Sequence, residues 1–129
     1  MLLVETKIGS SVIHGIGLFA AQFISKDTPV WKFVDGFDIR VSEEKLKTLT
    51  EPAKKQFLNY SYLDPKTNMY TLAFDDSRFA NHSDNPNVTT TVDAHGEEID
   101  VAARDIQEGE ELTYDYNILE EIRDDSLKW

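Results

Sequence analysis

With 129 residues, 40% of them apolar, the chain has the size and composition of one domain with a packed core. It carries 13 basic residues against 24 acidic ones, a formal charge of −11, which disfavours direct nucleic-acid binding and favours a basic protein partner. It has no cysteine, which excludes disulfides, thiolate zinc sites and thiol chemistry, and no apolar run approaches the roughly 20 residues of a membrane span. The start, Met1 to Glu5, turns polar at once, so no secretory signal and an intracellular location are expected. The charge is uneven: residues 93–125 hold thirteen acids against Arg104 and Arg123 alone, which predicts an acidic rim facing a Lys/Arg-rich segment.

In chain order, Leu3 to Ile8 reads as a strand, closed by a Gly9-Ser10-Ser11 turn. Leu18 to Phe23 and Val30 to Val34 are further strands, separated by a turn at Ser25 to Pro29. The middle is helical. Ser42 is an N-cap before Glu43 to Leu49, and Pro52 fits the first turn of a second helix running to about Tyr60, with Phe57 and Tyr60 on one face. Tyr60–Leu63 and Met69–Ala73 flank a hairpin loop at 64–68. Val88–Val92 and Ile99–Ala103 form another hairpin. Ile106 to Gly109 is a turn, Glu111 to Tyr116 a strand, and 118–129 a short C-terminal extension with helical character. Many short strands around one helical insertion predict a β-rich α+β domain spanning residues 1–129.

Three segments carry candidate chemistry. In His14-Gly15-Ile16-Gly17-Leu18-Phe19-Ala20 two glycines allow a tight turn and a close approach of backbone to a ligand. No phosphate-loop pattern is completed there. Arg78 to Asn87 places Asn81, His82 and Ser83 side by side on a loop, where they can hydrogen-bond a polar cofactor or cap local backbone. A hydrolase built on His82 and Ser83 is a poor fit, because adjacent side chains seldom face each other and no nucleophile elbow is present. His14 and His95 lack metal-ligand spacing to His82, so no metal site is expected. In Gly109-Glu110-Glu111-Leu112-Thr113-Tyr114-Asp115-Tyr116-Asn117, Tyr114 and Tyr116 lie two apart and share one face of a strand.

Each segment alone is weak, but their order and spacing resemble the SET-domain family of protein lysine methyltransferases over roughly residues 8–117. The resemblance implies small curled β-sheets with a helical insert and a C-terminal pseudoknot, S-adenosylmethionine in one pocket, and the lysine in a channel from the opposite face. Carried over by position, Gly15, Ile16 and Gly17 approach the cofactor's amino-acid end and Asn81 and His82 hydrogen-bond it. Tyr116 is the catalytic tyrosine and Tyr114 lines the lysine channel, where a tyrosine favours monomethylation. The cysteine-rich segments that flank many members are absent, so the aromatic lid falls to Trp129 or is missing. Val34-Asp35-Gly36-Phe37 lacks the glutamate common after that glycine. The implied activity is lysine N-methylation of a basic protein (a histone, histone-like or ribosomal protein) by a monomer or homodimer, with no direct nucleic-acid or membrane partner. The alternative is an inactive SET-like module that binds a basic peptide.

Overall fold

A computed structural model of the chain describes residues 1–64 and 66–115. Among these residues ten short strands, β1 (Thr6–Ser10), β2 (Ile16–Ala20), β3 (Pro29–Trp31), β4 (Ile39–Val41), β5 (Tyr62–Asp64), β6 (Met69–Leu72), β7 (Asn81–His82), β8 (Val88–Val92), β9 (Glu98–Ala102) and β10 (Thr113–Tyr114), accompany two α-helices, α1 (Glu43–Leu46) and α2 (Glu51–Tyr60), and a 3-10 turn at Asp76–Phe79. They form four small sheets, ordered β1-β2, β3-β9-β8, β4-β6-β5 and β10-β7. The β-rich α+β expectation is met. Tyr116, Trp129, the 118–129 extension and the threading of a pseudoknot lie outside the described residues.

Local chemistry accounts for most of the elements. The Ser42 side chain accepts from the Lys45 amide and caps α1, and Thr50 accepts from the Ala53 amide and caps α2 with Pro52 in its first turn. Two departures from the sequence pattern have physical reasons. The buried residue of α2 is Leu58, while Phe57 packs at the edge of its cluster and Tyr60 is turned outward onto Phe79, ring centroids 5.5 Å apart. The helix is laid on β6 by the Leu46, Leu63 and Tyr70 cluster, and that docking, not the Phe57–Tyr60 spacing, chooses its buried face. The first strand runs through Gly9 to Ser10, paired residue by residue with Gly17 and Ile16, so the turn falls at 12–15 instead of 9–11.

The main core joins Leu18 and Ala20 of β2 to Ile24, Val30, Trp31, Val88, Ala102, Ile106 and Leu112. It brings residues 18–31 against residues 102–112. Leu112 donates its amide to the Leu18 carbonyl (2.7 Å), Ala20 donates to Glu110 (2.8 Å), and Ile24 and Ile106 exchange both backbone bonds. On the other side, β10 pairs in parallel with β7, Thr113 opposite Asn81 and Tyr114 opposite His82. Of the expected strand over Glu111 to Tyr116, the described residues serve two neighbours, with an isolated bridge at Glu111 and regular pairing at Thr113 and Tyr114; Tyr116 lies outside them.

Asn87 fastens this arrangement. It is 2% exposed; its side-chain amide donates to the Glu111 carbonyl (2.8 Å) and its side-chain oxygen accepts from the Thr113 amide (2.8 Å). The side chain thus stands in for a strand neighbour, satisfying the Glu111 carbonyl and the buried Thr113 amide. Asn87→Ala should cost about 2–4 kcal/mol of stability, since it orphans both groups at once. A urea titration checks this, and a midpoint equal to that of the unsubstituted chain would contradict it.

Candidate active site

The parallel pair β7-β10 lays the second segment beside the third, and the β2 contacts lay the third beside the first. Gly15 adopts φ +47°, in the left-handed region that a side chain disfavours, and lets the turn reverse before β2. Gly17 meets a different constraint. A Cβ there would lie 2.6 Å from Glu111 Oε2 and 3.0 Å from the Ser11 Cβ, so the missing side chain makes room for a carboxylate of the protein itself. The Asn81 side-chain nitrogen donates to that same carboxylate (2.9 Å) and lies 3.1 Å and 3.2 Å from the carbonyls of His14 and Ile16. Three acceptors therefore share the two hydrogens of one amide. His82 pairs its Nε2 with Asp84 at 2.9 Å and holds Asp115 3.8 Å from its Nδ1.

Two cavities flank this junction. The first, about 470 Å³, is lined by His14, Gly15, Ile16, Phe79 and Asn81. The second, about 490 Å³, is lined by aromatic residues, Trp31, Phe33, Tyr60, Tyr62 and Tyr114, together with the acids Asp64, Glu98, Asp100 and Asp115. Asn59, Tyr60, Arg78 and Ala80 line both, so the cavities share one wall. Both have the size of small-molecule sites. The structure thus brings Gly15, Ile16 and Asn81 to one cavity and Tyr114 to the other. Gly17 and His82 stand beside the junction instead of on the lining of the first cavity.

The charges of the second cavity are graded. Burial pushes the Asp100 carboxyl up to about 6, opposed by a hydrogen bond from Thr90 Oγ1 (2.7 Å) and reinforced by Glu98 on the same strand. Burial, and then the Asp100 charge, raise the Tyr62 phenol above its ordinary value, so it stays a neutral donor. Arg40 stacks 3.6 Å over the Phe33 ring at the same cavity. Several acids of the 93–115 stretch have basic partners. Asp93 and Glu97 face Lys32, Glu98 pairs with Lys66 at 3.1 Å, and Glu110 faces Arg104, while Glu98, Asp100 and Asp115 line the second cavity.

The sequence pattern gave no role to Ser11, Glu111 or Asp100, whereas Tyr60 and Tyr62, its alternative positions for the lysine channel, do line the second cavity. A glycine inside a strand signals the close approach of another group, and Gly17 carried that signal for Glu111. Nothing local marked Asp100, because an acidic residue within an alternating strand reads as a solvated one.

Residues 15–117 match the SET domain family model, and the chain belongs to the SET-domain family. Among curated proteins it is 34% identical over 125 residues to the histone-lysine N-methyltransferase trr of Drosophila melanogaster, covering 94% of this chain and 5% of that one. It is 36% identical over 124 residues to an H3 lysine-4 specific histone-lysine N-methyltransferase of Neurospora crassa, covering 90% of this chain and 9% of that one. The chain therefore spans only a small part of the length of these relatives. Among solved structures it superposes on the Chaetomium thermophilum Polycomb Repressive Complex 2 with a TM-score of 0.67 at 23% identity, over 90% of this chain and 16% of that one. A structure of that complex in an autoinhibited conformation, bound to S-adenosylmethionine, gives 0.66 at 23% identity, over 90% of this chain and 15% of that one.

The raised Asp100 carboxyl has a thermodynamic consequence. Its value in the folded chain, about 6, lies above the ordinary 3.8, so the folded state holds the proton more tightly than the unfolded one. This contribution to stability is complete below pH ~4 and is lost as pH rises toward ~6. Asp100→Asn keeps an oxygen for Thr90 and removes the titration. The stability of the unsubstituted chain relative to Asp100→Asn should fall between pH 4 and 6 in urea titrations, and a constant difference would contradict the assignment.

Proposed function

We propose that this chain transfers a methyl group from S-adenosylmethionine to the ε-amine of a lysine in a basic protein, stopping mainly at monomethyl-lysine. One observation carries the reading: two cavities share a wall, one bounded by the glycine turn and Asn81, the other by Tyr114 among aromatic and acidic side chains. The relatives named above as histone-lysine N-methyltransferases support a histone or histone-like substrate. A ribosomal protein would present the same chemistry.

The first cavity suits the cofactor. The excess of acceptors around Asn81 (the carbonyls of His14 and Ile16 and the Glu111 carboxylate against two amide hydrogens) favours a cationic donor such as an α-ammonium group. Gly15, Ile16, Gly17, Asn81 and His82 are the holding residues in this reading, and Trp129 supplies the aromatic cover. The cofactor brings a methyl group already activated on a positively charged sulfur. What remains for the protein is alignment, and positioning of this kind is worth up to about 7–11 kcal/mol.

The second cavity suits the lysine. Glu98, Asp100 and Asp115 attract a cationic side chain, and the rings of Tyr60, Tyr62 and Tyr114 replace water around it. Acids stabilise the ammonium, so they serve capture; the amine, with a reference pKa of about 10.4, is driven neutral where aromatic surface replaces the carboxylates. Tyr116, the residue after Asp115, is the catalytic tyrosine in this reading and orients the neutral amine. The Tyr114 hydroxyl holds an acceptor beside that amine, directly or through water. A methylated amine then loses a hydrogen bond, at a cost of about 1–3 kcal/mol, or roughly one to two orders of magnitude in the second transfer.

Incubation with methyl-labelled S-adenosylmethionine and a mixture of basic proteins tests the activity. Label on lysine, abolished by Tyr116→Phe with cofactor affinity retained, is the expected outcome. Cofactor binding without any transfer would instead favour a peptide-binding module that lacks catalysis.

Mass spectrometry of a time course tests the product. Monomethyl-lysine should dominate, and Tyr114→Phe should shift product toward di- and trimethyl-lysine. Trimethyl product from the unsubstituted chain, unchanged by Tyr114→Phe, would overturn the role given to Tyr114.

A further inference from the structure

We infer that Glu111 is a positioning residue for the cofactor: it stands behind the first cavity and fixes the turn that forms the cavity wall. The inference rests on the functional reading above and adds a residue and a mechanism to it.

The turn from Ser11 to Ile16 has little apolar anchorage. Val12 is 102% exposed, and Ile13 and Ile16 are 48% and 51% exposed. Hydrophobic burial therefore does little to select its conformation, and polar contacts must. They converge on one carboxylate. Ser11 Oγ lies 2.7 Å and 2.8 Å from the two Glu111 oxygens and donates to them. The same Ser11 oxygen accepts from the Ile13 amide (3.0 Å) and lies 3.4 Å from the His14 nitrogen, while the Ser11 amide closes the turn on the Gly15 carbonyl (2.8 Å). Glu111 Oε2 also accepts from Asn81, whose amide reaches the His14 and Ile16 carbonyls. His14, Gly15, Ile16 and Asn81 line the cavity, and Glu111 is absent from that lining among the described residues. Its effect on a ligand must pass through the turn and Asn81.

The arrangement favours a carboxylate, whose charge strengthens the bonds from Ser11 and Asn81 together. An amide at 111 would oppose its NH2 to the Asn81 NH2 in one orientation. In the other its oxygen still faces Asn81 and its NH2 donates to the Ser11 hydroxyl, but the charge is gone from both contacts.

Glu111→Gln should therefore raise the KM for S-adenosylmethionine about tenfold, the size of one lost charge-assisted hydrogen bond. kcat and the KM for substrate peptide should stay within about twofold in the variant, which should remain folded. Ser11→Ala, a truncation on an exposed turn, should raise the same KM, and the double variant should show less than the product of the two effects. Amide hydrogen exchange at Ile13 and His14, measured without cofactor, should quicken in both variants. Glu111→Asp, with the charge restored, should recover part of the affinity that Glu111→Gln loses. Unchanged cofactor affinity in Ser11→Ala and in folded Glu111→Gln would overturn the inference, as would a fall in kcat with KM unmoved. If the unsubstituted chain bound no S-adenosylmethionine, the functional reading would fail, and unchanged exchange at Ile13 and His14 in both variants would then overturn the role of Glu111 by itself.

Discussion

The stretch from Gly109 to Tyr114 has to satisfy backbone hydrogen bonds on both of its edges, and the organisation of the site follows from how it does so. One edge meets β2, through the Leu112–Leu18 and Ala20–Glu110 bonds. The other meets β7 in parallel and is extended by the side chain of Asn87. A buried strand with an unpaired edge would be costly. Here the shortage of regular strand is made up by one asparagine, and the three chemistry-bearing segments are held in contact as a result.

That convergence separates two environments. On the side of the glycine turn, acceptors outnumber hydrogens and few apolar residues are buried, so polar geometry sets the shape. On the side of β5, β8 and β9, aromatic rings and acids share one cavity, and burial drives Asp100 and Tyr62 toward their neutral forms. Groups of opposite preference for charge thus lie on either side of a wall a few residues thick. In the function proposed above, such a division suits a cationic donor on one side and an amine that must lose its charge on the other.

The relatives place these features in proportion. Over the stretch they share with this chain, about a third of positions are identical, and that stretch is a small part of their length. The identity supports the chemistry of the site more directly than any choice of partner. Selectivity within this chain is therefore sought in the cavity that holds Tyr62, Asp100 and Tyr114, where residue type changes charge and shape without altering the backbone frame.

The sequence by itself determined the local elements and the family. Ser42 and Pro52 mark helix starts because capping acts within one turn, hairpins are bounded by turn residues, and three motifs in fixed order identify the SET domain. Tertiary structure alone decided the rest. Leu58, not Tyr60, became the buried residue of α2, because the surface that receives the helix chooses its face. Glu111 came to hold Ser11, one hundred positions away, and Asp100 became a cavity carboxylate with a raised titration. Capping and turn preferences are written over three or four residues. Hydrogen bonds between distant side chains, and the loss of water around a carboxylate, exist only once the chain has closed on itself.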